Sequence, residues 1–342
     1  EVHASPKRNM VLFSRAIAQA CCRTPCRSVH PWTRAPQRLF QRQARQPGTE
    51  QPRAHLVQPQ QGGTGSRTLT KSLLFALGCS GASFVGASIW QYENMRHEAK
   101  VYLENRRVRP FARDYKYGAF RQQLNQWYNG LSEGTKVAYA IIGVNVAVFL
   151  MWRVPRLQPT MVRYFSSNPA SRSVCLPMVL STFSHSSLVH LCANMLVLTS
   201  FAPAAVALWG KEQFVAMYLS AGVLSSFASY LHKVATKRPA MSLGASGAIL
   251  AVIAAMCVQY PDAQLAIIFL PFFTFSAGMA LKAIVTMDVA GILLKWQLLD
   301  HAAHLGGSIF GIAYILYGQE VWKRREVVMK TWHDISFYIR GN

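Results

Sequence analysis

Two segments of the chain combine small residues with a side chain that can take part in nucleophilic catalysis. Gly244-Ala245-Ser246-Gly247-Ala248 stands at the start of one apolar stretch, and Ala303-His304-Leu305-Gly306-Gly307 lies at the start of another, 58 residues later. A serine hydroxyl next to an imidazole can attack a carbonyl carbon, because the imidazole accepts the hydroxyl proton. The two segments therefore predict a nucleophile, Ser246, and its base, His304.

The alternative is that these residues serve packing alone. Gly, Ala and Ser let membrane helices approach closely without any chemistry, so Gly-Ala-Ser-Gly by itself fits both interpretations. His304 favours a functional site, since an ionisable side chain within a membrane segment is costly. Gly307 and Gly311 follow it with the four-residue spacing of a close-packing ridge. Packing and catalysis are thus compatible here.

A second pair of polar side chains opens a third apolar stretch. His190 and Asn194 are four residues apart and therefore share one face of a helix. Alone, such a pair is a helix cap or an interhelical hydrogen bond. Here it stands near the start of the apolar stretch Leu188–Leu208, while Ser246 and His304 stand near the starts of Met241–Gln259 and His301–Gly318, with one further apolar stretch between each consecutive pair. Because alternate helices run in the same direction, we expect these groups at one end of the bundle.

Seven stretches are apolar and close to the length of about 20 residues that crosses a bilayer. None of them contains Lys, Arg, Asp or Glu. Soluble helices carry a polar stripe, and its absence favours membrane spans. The seven stretches are Ser72–Trp90, Val137–Trp152, Leu188–Leu208, Gln213–Leu231, Met241–Gln259, Ala263–Leu281 and His301–Gly318.

The charge of this 342-residue chain, +22 in total, is unevenly distributed. Residues 1–70 hold 11 Lys and Arg against only Glu1 and Glu50. An Arg-rich, acid-poor segment of this kind is typical of a mitochondrial transit region. A basic arm for nucleic acid is the alternative, but no recognisable binding module follows it.

The remaining composition argues against a metal or redox centre. The seven cysteines are odd in number and show no C-x2-C spacing, so we interpret them as structural or incidental. The predicted division of the chain is a basic presequence (1–70), a leading membrane helix (71–91), a polar interfacial linker (92–136), a six-helix catalytic core (137–318) and an interfacial C-terminal segment (319–342).

Together these motifs resemble those of the rhomboid intramembrane serine proteases. The family's marks are H-x4-H-x3-N on core helix two, G-x-S-G on helix four and A-H-x-x-G on helix six, and residues 137–318 carry all three. The resemblance implies an all-α membrane fold with a six-helix core, preceded here by one extra membrane helix as in a mitochondrial member. It also implies a catalytic dyad of Ser246 and His304, without a third carboxylate, and an oxyanion hole formed by Asn194, His190 and the Ser246 backbone N–H. His301 is the rival base, and Asp300 is interpreted as interfacial.

The chain departs from the family pattern at two positions. Bacterial members often place a tyrosine four residues after the serine to stack on the histidine, and Leu250 stands there instead. We therefore expect packing of a different kind to orient His304. The family's Trp-Arg pair is not clearly placed, since Trp152-Arg153 lies far from His185 in sequence. In the predicted fifth core helix, Pro271 permits a bend, and the resemblance makes this helix part of a lateral gate for substrates.

The predicted activity is that of a serine endopeptidase of the mitochondrial inner membrane. Its expected partners are transmembrane segments of single-pass proteins and membrane lipid, with no nucleic acid, cofactor or metal. The resemblance further implies regulated processing linked to mitochondrial quality control and apoptosis. An inactive relative that binds membrane helices is the first alternative, although such relatives lack the Ser or the His. A transporter is the second, but no broken-helix repeat supports it.

Overall fold

The computed structural model describes residues 66–107, 118–267 and 270–340, and it is mostly helical. The predicted presequence lies almost entirely outside these residues. The described helices are α1 Ser66–Arg107, α2 Ala119–Gly130, α3 Glu133–Met151, α4 Gln158–Tyr164, α5 Cys175–Leu180, α6 Leu188–Trp209, α7 Lys211–Ala235, α8 Ser246–Gln259, α9 Ala277–Leu293, α10 His301–Ala313, α11 Gln319–Lys323 and α12 Arg325–Arg340. The strands β1 Gln264–Ile267 and β2 Leu270–Ser276 form a two-stranded sheet.

Four of the described helices are long and apolar enough to cross a membrane, namely α1, α3, α6 and α7. They contain the first four predicted apolar stretches almost completely, which confirms those predictions of membrane-grade helices. Helix α8 is apolar but shorter than the predicted stretch, because Met241–Ala245 is not helical. Helix α10 continues through a π-helical turn, Tyr314–Gly318, and so covers the last predicted stretch.

The prediction of a fifth core helix at Ala263–Leu281 is wrong. Most of it forms the sheet of β1 and β2, and helix α9 begins only at Ala277. The stretch is rich in aromatic and β-branched residues, which favour strands, and a short apolar run does not distinguish a strand from a helix. Pro271 lies within β2, so it bends no helix, and the gate assigned to a fifth helix at this position has no helical basis.

Helix α1 continues without a break for 42 residues, well beyond the predicted boundary at residue 91. Its membrane-grade part packs mainly on α7, and its later part packs on α12. Polar contacts join this later part to α12: Trp332 Nε1 donates to Glu93 Oε1 at 2.8 Å, and Tyr92 Oη lies 2.6 Å from His333 Nδ1. Residues 91–107 are therefore a helical extension of the first span.

Glycines bring α7, α8 and α10 into close contact. A Cβ at Gly307 or Gly311 of α10 would collide with the backbone of Gly247 or Ala251 of α8. A Cβ at Gly247 would in turn collide with the Ser225 side chain of α7. The predicted ridge of Gly307 and Gly311 is thus confirmed as the surface on which α10 packs against α8.

The start of α8 is set by a glycine that no other residue replaces without strain. Gly244 has φ +136°, in the region that L-residues avoid. Its N–H donates to the Ser181 carbonyl at 2.9 Å. The chain turns here from an extended segment, in which Ser242 pairs with Ser167, into the helix that begins at Ser246.

Candidate active site

Ser246 and His304 meet where the first turns of α8 and α10 lie side by side. His304 Nε2 lies 2.9 Å from Ser246 Oγ, within hydrogen-bond distance. The His304 side chain is buried, and Ser246 is half-buried. The geometry is that of a nucleophile and a base, because the hydroxyl can pass its proton directly to the ring nitrogen.

His190 lies beside the same serine. A Cβ at Gly244 would stand 2.8 Å from His190 Cε1 and 3.8 Å from Ser246 Oγ, so the ring and the hydroxyl face one backbone position. The absence of a side chain at Gly244 therefore makes room for the ring. As the sequence predicts, His190, Ser246 and His304 come together.

Asn194 lies one turn further along α6 and is buried. Its Nδ2 donates to the His190 carbonyl oxygen at 2.9 Å. That bond fixes the side chain on the helix face it shares with His190. A carboxamide has two N–H groups, and this contact uses one of them.

His185 supports the backbone next to the serine. Its ring is fully buried, and its Nε2 accepts a hydrogen bond from the Ala245 N–H at 3.4 Å. Burial lowers the pKa of His185 from 6.5 to about 4, and the neighbouring His190 ring acts in the same direction. The two rings contact edge to face, with their centroids 4.9 Å apart. His185 is thus neutral at pH 7 and acts as an acceptor.

The fold places Trp152 and Arg153 on either side of His185, although more than 30 residues separate them in sequence. Trp152 Nε1 donates to Ser184 Oγ at 2.7 Å, and Arg153 donates to the Ser186 carbonyl at 2.9 Å. Their distance from His185 in sequence was therefore misleading. The pair holds the segment that leads into α6.

Sequence analysis missed Asp288, which lies on α9. It is fully buried, and its Oδ1 lies 2.8 Å from His301 Nδ1 and 3.4 Å from His304 Nδ1. The seven predicted spans contain no carboxylate, and Asp288 lies outside them, because the predicted fifth stretch ends at Leu281 and left Asp288 in a presumed linker. One signal was available: Asp288 is the only acidic residue in the apolar run from Ala283 to Leu294.

Asp300 is not simply interfacial. It caps α10 by accepting the Ala303 N–H, and its other oxygen accepts from Lys233 Nζ at 2.9 Å and from the hydroxyls of Ser229 and Ser242 at 2.5 Å. Burial raises the pKa of this carboxyl, but Lys233 and the two hydroxyls outweigh it and hold the pKa at about 2. Asp300 therefore ties the start of α10 to α7.

The structure also groups three potential metal ligands. Atoms of Asp288, His301 and His304 lie within 4.8 Å of one another. The sequence predicts no such set, since its members come from two helices. The four cysteines in the described part of the chain are free thiols.

The chain also matches known proteins. The Rhomboid domain family matches residues 173–320, which include Asn194, Ser246 and His304. The presenilin-associated rhomboid-like protein, mitochondrial, of Bos taurus is 54% identical over 272 residues, covering 79% of this chain and 72% of that protein. The Homo sapiens protein of the same name shows the same identity and coverage. Rhomboid protein 1, mitochondrial, of Saccharomyces cerevisiae is 33% identical over 195 residues, 56% of each chain.

The chain therefore belongs to the rhomboid family, as the motifs predict. Its relatives are mitochondrial, and several of its helices are membrane-grade, so it is a mitochondrial membrane protein with more than one spanning helix.

Proposed function

We propose that this protein is an intramembrane serine endopeptidase that cleaves transmembrane segments of single-pass mitochondrial proteins. The observation that carries the proposal is the 2.9 Å contact between Ser246 Oγ and His304 Nε2, made at the ends of apolar helices. An inactive helix-binding relative has no need of this contact. The inner membrane is the proposed location, and a role in mitochondrial quality control and apoptosis is part of the same proposal.

The first half of the reaction forms an acyl-enzyme. Ser246 Oγ attacks the scissile carbonyl carbon while its proton passes to His304 Nε2, and the carbonyl π electrons move onto oxygen. When the tetrahedral intermediate collapses, the C–N bond breaks and His304 returns the proton to the leaving nitrogen. Water then attacks the acyl carbon and gives a proton to His304 Nε2. When the second tetrahedral intermediate collapses, the ester C–O bond breaks and the proton returns to Ser246 Oγ.

The oxyanion needs donors that are in place before the charge develops. We propose the second N–H of Asn194, the ring of His190 and the Ser246 backbone N–H. The Ser246 N–H belongs to the first turn of α8, where helix N–H groups have no intrahelical partner. A substrate helix must unwind to expose its peptide bond, so helix-destabilising membrane segments are the expected substrates.

The decisive experiment compares variants of the full chain in proteoliposomes that contain a single-pass substrate. Ser246→Ala and His304→Ala should each abolish cleavage, and the double variant should lose little more, because the two residues act as a unit. Ser246→Ala should also abolish labelling by a fluorophosphonate. The matched control is Ser308→Ala, which removes a buried hydroxyl on α10 that has no partner among the described residues. Cleavage by Ser246→Ala at the wild-type rate would contradict the proposal.

A chelator separates this mechanism from a metal-dependent one. Activity should persist in EDTA, since the serine mechanism obtains its nucleophile through His304. A loss of activity in EDTA that zinc restores would instead assign the Asp288, His301 and His304 cluster to a metal ion.

A further inference from the structure

Asp288 is a buried carboxylate with an unusual environment. Its side chain is fully inaccessible, and among the described residues Oδ2 has no hydrogen-bond partner. An ionised carboxylate in such a place is costly unless a donor or a positive charge faces it. Two imidazole rings face Oδ1, that of His301 at 2.8 Å and that of His304 at 3.4 Å.

The contact between Ser246 and His304 determines which nitrogen of the His304 ring carries the proton. To accept a proton from Ser246 Oγ, Nε2 must be unprotonated, so the neutral ring carries its hydrogen on Nδ1. Nδ1 is the atom that faces Asp288. The carboxylate therefore stands where it favours the tautomer that the proposed chemistry needs.

We propose that Asp288 is a positioning residue, which holds His304 in the Nδ1–H tautomer and stabilises the imidazolium formed when Ser246 gives up its proton. The inference rests on the proposed function. In the step concerned, the proton moves from Ser246 Oγ to His304 Nε2, and Asp288 neither gains nor loses one. The new positive charge on the ring strengthens its attraction to Oδ1.

His301 anchors the carboxylate. The His301 ring lies against Gly291 of α9, where a Cβ would collide with it, and its centroid is 5.8 Å from that of Trp296. Its Nδ1 is occupied by Asp288. His301 is therefore fixed between helices and is engaged with Asp288, which argues against it as the base.

The contact with Asp288 also sets the orientation of the His304 ring, which Leu250 cannot do by stacking. Leu250 has no aromatic ring to stack on His304, so the ring needs another contact to set its orientation. Asp288 approaches His304 from α9, opposite Ser246 on α8, and the two contacts together hold both ring nitrogens.

In the described part of the chain, titratable groups near His304 come from α6, α7 and α9 as well as from its own helix. They are His190 on α6, which interacts with it electrostatically, Asp288 on α9 and His301 on its own helix. Helix α7 contributes Lys233, whose charge is paired with Asp300. Among the described residues, Asp288 is the one carboxylate of this set with an oxygen against the His304 ring.

The test is Asp288→Asn in the full chain, with kcat and KM measured in proteoliposomes on a single-pass substrate. The variant keeps the shape of the side chain and removes its charge. The kcat should fall by roughly 10²–10⁴-fold, as for other serine enzymes that lose this carboxylate, while KM changes less than about threefold.

The matched control is Asp300→Asn, which neutralises a partly accessible carboxylate at the start of α10, the helix that carries His304. It should lower thermal stability, while the kcat of the folded protein changes less than about threefold. A folded Asp288→Asn variant with the wild-type kcat would overturn the positioning role, as would an equal fall in kcat for Asp300→Asn.

If Asp288→Asn does not fold, two variants of His301 test the positioning role of Asp288 instead. His301→Asn keeps an N–H donor close to the position of Nδ1, whereas His301→Ala removes the donor. The Asn variant should lose at most about tenfold in kcat, and the Ala variant should be at least about tenfold slower again. Equal rates would overturn the proposal. A wild-type chain that shows neither cleavage nor labelling of Ser246 overturns the proposed function itself, and an active wild type with unaffected variants overturns only the role of Asp288.

Discussion

Two polar clusters of this protein each contain a carboxylate held by neighbouring side chains, but they lie in different environments. The Ser246 cluster, defined as Ser246, Asp288, His301 and His304, is largely buried where α8, α9 and α10 meet. The Glu93 cluster, defined as Glu93, Trp332 and Arg340, joins the later part of α1 to α12, and there the Glu93 and Arg340 side chains are 32% and 40% exposed. Water replaces a lost partner in the second cluster and cannot do so in the first, so the two should respond very differently to substitution.

The helices that carry the clusters also pack differently. In the Ser246 cluster α10 lies on α8 through glycines, with no room for another atom. Near Glu93 the contacts are made by the ends of long side chains, such as those of Trp332 and Arg340. The relative positions of the side chains in the Ser246 cluster therefore depend on backbone contact between α8 and α10.

Gly307→Val should produce the largest effect. Its Cβ would collide with the Gly247 carbonyl, so α10 must move away from α8, at a cost of about 3 kcal/mol and most of the activity. The matched control is Gly143→Val on α3, where a Cβ would contact nothing within 4 Å. Thermal unfolding in detergent and the cleavage assay measure both. Equal melting temperatures for the two variants would contradict the role of glycine contact.

Asp300→Asn should come next. It leaves Lys233, with a side chain 10% exposed, without its ion-pair partner and weakens the start of α10. Because Asp300 itself remains partly accessible, we expect a loss of about 1–3 kcal/mol, below the range for a fully buried pair. The melting temperature measures it, and Lys233→Met in the same background should recover part of the loss. No recovery would mean that the unpaired ammonium is not the cause.

The pH dependence of stability should show two windows. The folded-state pKa of His185 is about 4 against an ordinary 6.5, so the unfolded chain binds this proton first and stability falls as pH decreases from 6.5 to 4. Asp300 stabilises the fold above its ordinary pKa of 3.8, and that contribution is lost as pH falls towards 2.

Melting temperatures from pH 8 to pH 3 check the upper window. His185→Gln retains an acceptor for the Ala245 N–H but does not titrate, so its curve should be flatter between pH 6.5 and pH 4. A curve that parallels the wild type would assign the loss to other groups.

Glu93→Gln should have the smallest effect. It removes the charge that Arg340 contacts at 3.1 Å, an exposed pair worth at most about 1 kcal/mol. Cleavage of a single-pass substrate should remain at the wild-type rate. A large loss of stability would show that α12 contributes more to the fold than its exposed contacts indicate.

Local motifs predicted the reactive groups, while their partners depended on helix placement. The sequence indicates four polar residues because polar side chains are costly within apolar membrane helices. They are Ser246, His304, His190 and Asn194. The position of Asp288 was not predicted, because the strand-forming stretch before α9 was assigned as a helix. The contacts of Trp152 and Arg153 with the segment around His185 were not predicted either, because they join residues more than 30 positions apart.

The amino-acid sequence by itself determined the helical membrane class, the rhomboid motifs and the glycine ridge of α10, since these depend on composition and on spacings within one helix. Only the tertiary structure decided that α9 brings Asp288 against His301 and His304, and that Asp300 ties α10 to α7. Contacts of this kind depend on how separate helices are rotated and offset against one another. That arrangement follows from packing over the whole bundle, which no local pattern records.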